Sequence, residues 1–298
     1  MLEAEKADQY KENCIKKYDE NVERYIFTYD KDYEGYPGNQ KRFDIIRDLI
    51  RRHSPQRVLY IGCGACVPMA LLIKEFGCEM FGIDFSKKMV EQGRKVLKEH
   101  GLNPELVQIG DIENMDTLPD GVFDFVIAVG VFTHLYDDNK AMSNLNKKLK
   151  NGGILVVEFR NELFSCYSFN TFSYDFILNT LLAGVDLPQE FGMKVDHFFK
   201  ERFGILADEK IAPKSTYLKN GIIKKFHNPL NICEVIERWN FCWKENYFYH
   251  FHVLPPQFET VNPDLFKKLS LYIEDPTNWR GHIMASAFVS EAEKIQNI

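Results

Sequence analysis

Apolar and polar positions along this chain change period several times, and each change predicts an element. Residues 58–61 are an apolar run that breaks at Gly62 and Gly64, and helical spacing begins just after Pro68. That reads as a strand, a tight glycine turn and a helix, the start of a nucleotide-binding α/β unit. The pattern then repeats. Residues 79–83 form a second apolar run ending at Asp84, and Ser86 stands as the N-cap of a helix over 87–100 that stops at Gly101. Residues 106–109 predict a third strand, followed by Gly110-Asp111-Ile112. Residues 123–129 are nearly all apolar, as a strand buried on both faces is. Asp137 or Asp138 caps the next helix, which ends at Gly152, and 154–159 is a fifth strand.

Glycines at such a turn let a ligand approach backbone where a Cβ would collide with it. A dinucleotide or S-adenosylmethionine uses a turn of this kind. The dinucleotide fingerprint needs a third glycine at position 67, where Val67 stands. Pro68 also removes an N–H that a pyrophosphate would use. Both substitutions weigh against a nicotinamide oxidoreductase. Asp84, about 20 residues after the first glycine, is placed to accept from both hydroxyls of a ribose.

Taken together, residues 57–160 resemble a class I S-adenosylmethionine-dependent methyltransferase. The resemblance rests on Val58-Leu-Tyr-Ile-Gly-Cys-Gly, on Asp84-Phe85-Ser86, and on Gly110-Asp111-Ile112. Phe123-Asp-Phe-Val-Ile, Thr133-His134-Leu135 and Leu149-Lys-Asn-Gly-Gly-Ile-Leu-Val-Val complete it. It implies an α/β, Rossmann-like sheet of seven strands with the last antiparallel, and S-adenosyl-L-methionine as cofactor over the carboxyl ends of the first strands. The implied cofactor residues are Gly62, Cys63, Gly64, Asp84, Phe85, Ser86, Met89, Asp111, Ile112, Val129 and Gly130. In the family's pattern Asp111 accepts from the adenine amine, and carbonyls near Gly130 hold the cofactor's amino group. The chain departs from that pattern twice. Tyr60 stands where an acid is frequent, and Cys66 where a third glycine is. The first departure keeps open a cofactor-binding module without chemistry.

The flanking segments set the expected organisation. Residues 1–52 read as an N-terminal helical lid, 53–160 as the cofactor core, 161–230 as an inserted substrate cap and 231–298 as the rest of the sheet. Tyr18 and Tyr25 resemble the aromatic lid of small-molecule methyltransferases, with Tyr25 expected at the cofactor. The insertion begins with six aromatic residues between Phe164 and Phe176, enough to stack on a sugar ring or to form a satellite core. Residues 231–239 predict the delayed helix, and 242–253 and 282–289 strands six and seven.

Composition narrows the partners. The formal charge of the 298 residues is −6 with both signs interspersed, which argues against bulk binding of nucleic acid. No apolar run approaches a membrane span, and the N-terminus has no apolar signal core, so a soluble cytoplasmic chain is expected. Cys63-Gly-Ala-Cys66 is formally a C-x-x-C, but without a second such pair it reads as two loop residues. His250 and His252 share one strand face without a clear third ligand, so no metal is expected.

Methyl transfer needs the acceptor in line with the activated methyl, and a hydroxyl acceptor also needs a base. His134, after strand four, is the expected catalytic base. Arg160, Asn161, His197 and His252 are expected on the acceptor, with Arg160 as a fork for phosphate. The C-terminal phrases and the insertion resemble bacterial methyltransferases of surface-polysaccharide biosynthesis. The expected acceptor is therefore a small molecule, a hydroxyl of a sugar or sugar nucleotide. The alternative is a small amine methylated on nitrogen. Oligomeric state leaves no mark in the sequence.

Overall fold

A strand covered on both faces needs apolar residues at nearly every position, and the apolar runs of this sequence become the middle of a sheet. The computed structural model describes residues 2–30, 33–186, 188–204, 216–219 and 222–295. Parts of the expected lid, cap and C-terminal segments (residues 1, 31–32, 187, 205–215, 220–221 and 296–298) lie outside the described residues. The strands are β1 (Arg57–Ile61), β2 (Glu79–Asp84), β3 (Val107–Ile109), β4 (Phe123–Ala128), β5 (Leu149–Arg160), β6 (Thr216–Lys219), β7 (Ile222–Lys225), β8 (Phe241–Phe251) and β9 (Ala285–Lys294). One sheet runs β3-β2-β1-β4-β5-β9-β8, while β6 and β7 pair separately. Strands β1 to β5 are parallel, and β9 lies antiparallel between β5 and β8. This is the seven-stranded sheet with its last strand antiparallel that the resemblance implied.

Three helices precede the sheet: α1 (Leu2–Glu20), α2 (Val22–Phe27) and α3 (Gly38–His53). Within the parallel part come α4 (Val67–Phe76), α5 (Lys87–Glu99) and α6 (Asp138–Lys148). Helix α5 starts where expected, because the Ser86 hydroxyl accepts from the Met89 N–H. Its buried residues, Met89, Val90, Gly93, Val96 and Leu97, recur at helical spacing. One sheet face packs on α3, α4 and α5 through Ile46, Leu49, Met69 and Val90. The other packs on α6 and on the later helix that brings in Ile232 and Ile236.

After β5 the chain leaves the sheet through α7 (Ser165–Ser168), α8 (Thr171–Asp175), a π-helical turn at Phe176–Leu181 and α9 (Gln189–Phe203). It returns through α10 (Ile232–Glu237), α11 (Pro263–Tyr272) and α12 (Gly281–Met284). No helix among the described residues is long and apolar enough to cross a membrane.

Strand β9 starts later than the sequence predicted, because Gly281–Met284 makes a helical turn first. Asn161 explains that turn. Its amide nitrogen lies 3.1, 2.9 and 2.8 Å from the carbonyls of Gly281, His282 and Ala285. Its side-chain oxygen accepts from the Leu163 N–H at 3.0 Å. Gly281 also sits where a Cβ would lie 2.3 Å from the Phe248 ring.

Asn161 is fully buried and its polar atoms are spent, so it braces the fold and does not meet an acceptor. Asn161→Ala is therefore expected to destabilise the chain by about 2–4 kcal/mol, since carbonyls are left unpaired away from water. Urea denaturation measures this. A loss under about 0.5 kcal/mol would mean that the turn does not depend on the amide.

Candidate active site

The carboxyl ends of β1, β2 and β4 open onto a cleft with about 950 Å³ of empty space, part of it open to solvent. Gly62 and Gly64 line its floor, both at positive φ. A Cβ on Gly62 would fall 2.5 Å from the Val131 side chain, so this position admits no larger residue without movement. The turn is pinned by the Ile83 carbonyl, which accepts from the N–H groups of Gly62 and Cys63 at 2.8 and 3.2 Å. Cys66, in place of the third glycine, also adopts positive φ at 60°.

Asp84 holds the turn to β2. Its carboxylate accepts from the Gly64 N–H at 2.8 Å and the Ser86 N–H at 2.9 Å. Burial pushes its carboxyl up to about 6, against those two bonds. Phe85, Met89, Asp111 and Ile112 continue this wall, and Val129, Gly130 and His134 form the other.

The roof is α1. Asp8, Lys11, Cys14 and Tyr18 recur at helical spacing and all face the cleft. Lys11 pairs with Asp111 and, at 3.5 Å, with Glu113. Asp19 accepts from the Ser86 hydroxyl at 2.5 Å. The Tyr25 ring lies against Gly64, 3.6 Å from where a Cβ would stand.

His134 sits between roof and insertion. Its Nδ1 is 2.9 Å from the Ile223 carbonyl, which can only accept, so Nδ1 carries the proton. Nε2 then accepts from the Tyr18 hydroxyl at 2.9 Å. Burial, with help from the positive charges of Lys17 and Arg160, lowers the imidazole to about 4.

Several expected site residues lie elsewhere. Ser86 is a fully buried helix cap. Cys63 lies beneath the turn, beside a recess that Arg42, Tyr29 and Tyr60 also line. Its sulfur is 3.8 Å from that of Cys66. His197 is exposed on α9 and pairs with Glu201 at 3.2 Å. His252 is buried, stacked on His250 and tilted against Phe164, away from the cleft walls. Arg160 is exposed at the end of β5.

The insertion's aromatics pack mainly on one another, as in Phe172–Phe226 and Tyr174–Phe199, and the Tyr167 hydroxyl bonds the Val253 carbonyl. Among the described residues of the insertion, Ile223 is the one that lines the cleft. Lys11, Cys14 and Ile223 were not anticipated. The helical spacing of residues 8, 11, 14 and 18 was a usable signal for the first two. Nothing local marks Ile223.

Residues 59–157 match the family model described as a methyltransferase domain. That stretch is similar to methyltransferase domains. Sterol 24-C-methyltransferase of Eremothecium gossypii is 27% identical over 155 residues, 51% of this chain and 41% of that protein. Glycine N-methyltransferase of Mus musculus is 30% identical over 146 residues, 44% of this chain and 45% of that protein. The chain thus spans less than half the length of these relatives. The solved 1,6-didemethyltoxoflavin-N1-methyltransferase of Burkholderia thailandensis, with S-adenosylhomocysteine bound, shares the fold. Its TM-score is 0.55 at 11% identity, covering 97% of this chain and 91% of that one. S-Adenosylmethionine is the donor for the class I methyltransferase fold, and these walls suit it: side-chain-free floor at Gly62, buried carboxylate at Asp84.

The raised Asp84 carboxyl gives a signed prediction. Ribose hydroxyls favour the carboxylate, so S-adenosylhomocysteine affinity is expected to fall as pH drops through about 6, by at most about tenfold per unit, and to be flat above 7. In the free protein the same shift acts oppositely. Its contribution to stability is full below about 4 and is lost as pH rises through 6. Calorimetry from pH 5 to 8 checks the first statement. Affinity independent of pH across that range would remove Asp84 from the ribose.

Proposed function

We propose that the chain transfers a methyl group from S-adenosylmethionine to a small-molecule acceptor, and that the acceptor atom is a nitrogen. When bound, the sulfonium cofactor supplies an electrophilic methyl group. Asp84 would hold the ribose, Ile112 and Asp111 the adenine, and Gly62, Val129 and Gly130 the amino-acid end. Tyr18 and Tyr25 would cover it and exclude water. The methyltransferase-domain match, the glycine floor and the buried Asp84 support this part of the reading.

The atom-level reading rests on His134. Its one basic lone pair already accepts from Tyr18, and its imidazole is depressed to about 4. A hydroxyl acceptor would ask this ring to be a base at neutral pH, and a base with so low a pKa provides little driving force. An amine needs only to shed one proton, which solvent can take. None of the described aromatics of the insertion lines the cleft, where it could stack on a sugar. The sugar-hydroxyl reading thus loses two of its supports and becomes the second choice. His134 is then a positioning residue that orients the Tyr18 hydroxyl toward the cleft.

With a nitrogen acceptor, His134→Ala should lower turnover by less than about tenfold, and the rate should follow the acceptor's own ionisation. Mass spectrometry of the product from a screen of small amines and sugar nucleotides locates the new methyl group. A methyl on oxygen, with a loss of about 10²-fold or more in the variant, would restore the hydroxyl reading with His134 as base.

A further inference from the structure

Helix α11 has two apolar faces, and only one of them is docked. Phe266 and Ser270 are buried one turn apart. The Ser270 hydroxyl accepts from the Val253 N–H at 3.0 Å, and the Lys267 ammonium donates to the Glu34 carbonyl at 2.7 Å. Asn262 caps the helix, its side chain accepting from the Leu265 N–H at 3.0 Å. These ties fix the rotation of α11 about its own axis, so the residues that face outward stay outward.

The outward face is apolar. Leu265, Leu269 and Tyr272 follow the i, i+4, i+7 spacing of one helical stripe, and they are 49%, 39% and 86% exposed. Just before the helix, Phe258 and Val261 are exposed as well. Single exposed apolar side chains are ordinary, but a stripe of them on one helix marks an interaction surface.

The residues beside the stripe say what covers it. Asp264 and Lys268 lie one turn apart along one flank, both exposed and neither with an ion-pair partner among the described residues. In a two-fold pair of identical antiparallel helices, the same flank of each copy faces the other. Asp264 of one copy then comes opposite Lys268 of the second, and Lys268 opposite the second Asp264. The stripe meets itself, with Leu265 of each copy against Leu269 of the other. A parallel pair would set Asp264 against Asp264 and Lys268 against Lys268. A lipid surface would gain nothing from the alternation, and Asp264 at its edge opposes burial among anionic headgroups.

We propose that this outer face of α11 pairs with the same face of a second copy of the chain, antiparallel about a two-fold axis, to form a homodimer. Apolar contact supplies the attraction, and the Asp264–Lys268 pairs set the direction. None of these residues lines the cleft, so the pairing stands apart from methyl transfer.

Sedimentation equilibrium of the full chain, over a wide range of concentration, tests this. The wild type should pass from the monomer mass to twice that mass as concentration rises. Lys268→Asp sets two carboxylates against each other on both sides of the axis and should weaken the dimer about tenfold or more. The double variant Asp264→Lys with Lys268→Asp restores opposite charges and should recover the wild-type dimer. Leu269→Asp, at the middle of the stripe, should leave a monomer. All three positions are exposed, so circular-dichroism melts of the dilute variants should match the wild type. A wild type that stays monomeric overturns the proposal, and one that also floats with phosphatidylcholine vesicles hands the stripe to lipid. A dimer that Lys268→Asp and Leu269→Asp leave unchanged uses another face and overturns it equally. So does a charge-swapped double variant no tighter than Lys268→Asp, because the flanks then do not meet as an antiparallel pair.

Discussion

One buried carboxylate ties together the parts that make the cleft. Glu158 is 4% exposed, and three donors from three different segments converge on it. Arg42 comes from α3, Tyr249 from β8, and the Gly130 N–H from the turn after β4. Burial alone would push this carboxyl up, but Arg42, Arg160, Tyr249 and Gly130 together hold it below the usual carboxylate range. A buried pair of this kind adds little over an apolar replacement, yet removing one partner costs about 3–5 kcal/mol because the other charge is stranded. Its value here is register. The N-terminal segment, the last strands and the cleft wall at Gly130 are fixed relative to one another by a single side chain.

The roof is held much more loosely than the walls. The Lys11 and Asp111 side chains are 32% and 26% exposed, so solvent screens their attraction, and such a pair is worth about 1 kcal/mol or less. The other links from α1 are hydrogen bonds, Asp19 to Ser86 and Tyr18 to His134. A nucleoside entering beneath α1 therefore displaces weak contacts. The carboxylate of Asp111 that Lys11 holds is the one the family's pattern offers to an adenine amine, so a donor is exchanged for a donor. Below the roof nothing comparable yields: the floor is set by a steric limit at Gly62 and by backbone bonds to Ile83 and Asp84.

How far the sequence spoke follows from the range of the forces involved. The parallel strands, the cap at Ser86, the turn at Gly62 and the carboxylate at Asp84 were legible because each is decided within a few residues, by burial on both faces, by one side chain or by one dihedral. Tyr25 was legible through its resemblance to a lid. Asn161 misled because a polar residue after a strand looks like a binding group, while its partners lie 120 and more positions away. His197 misled because a histidine carries no mark of exposure. The Arg42–Glu158 pair spans 116 residues and could not be read from either neighbourhood. Tyr60 illustrates the same limit. Where an acid is frequent the chain has a phenol, and the neighbouring recess is lined instead by Arg42 and Tyr29, which the local sequence around Tyr60 does not mention.

The acceptor chemistry depends on atoms that no single segment holds. The Ile223 carbonyl from the insertion fixes the His134 tautomer, His134 from the core turns its lone pair outward, and Tyr18 from the N-terminal helix answers it. Removing the carbonyl would free the ring to take either tautomer, and the Tyr18 hydroxyl would lose its fixed acceptor. The segment that matches the methyltransferase-domain model, 59–157, contains the middle of these three and neither end. It carries the floor at Gly62 and the carboxylate at Asp84, which suit the donor. Arg160 begins three residues beyond it. The other two atoms of this relay come from the helix before that segment and the insertion after it.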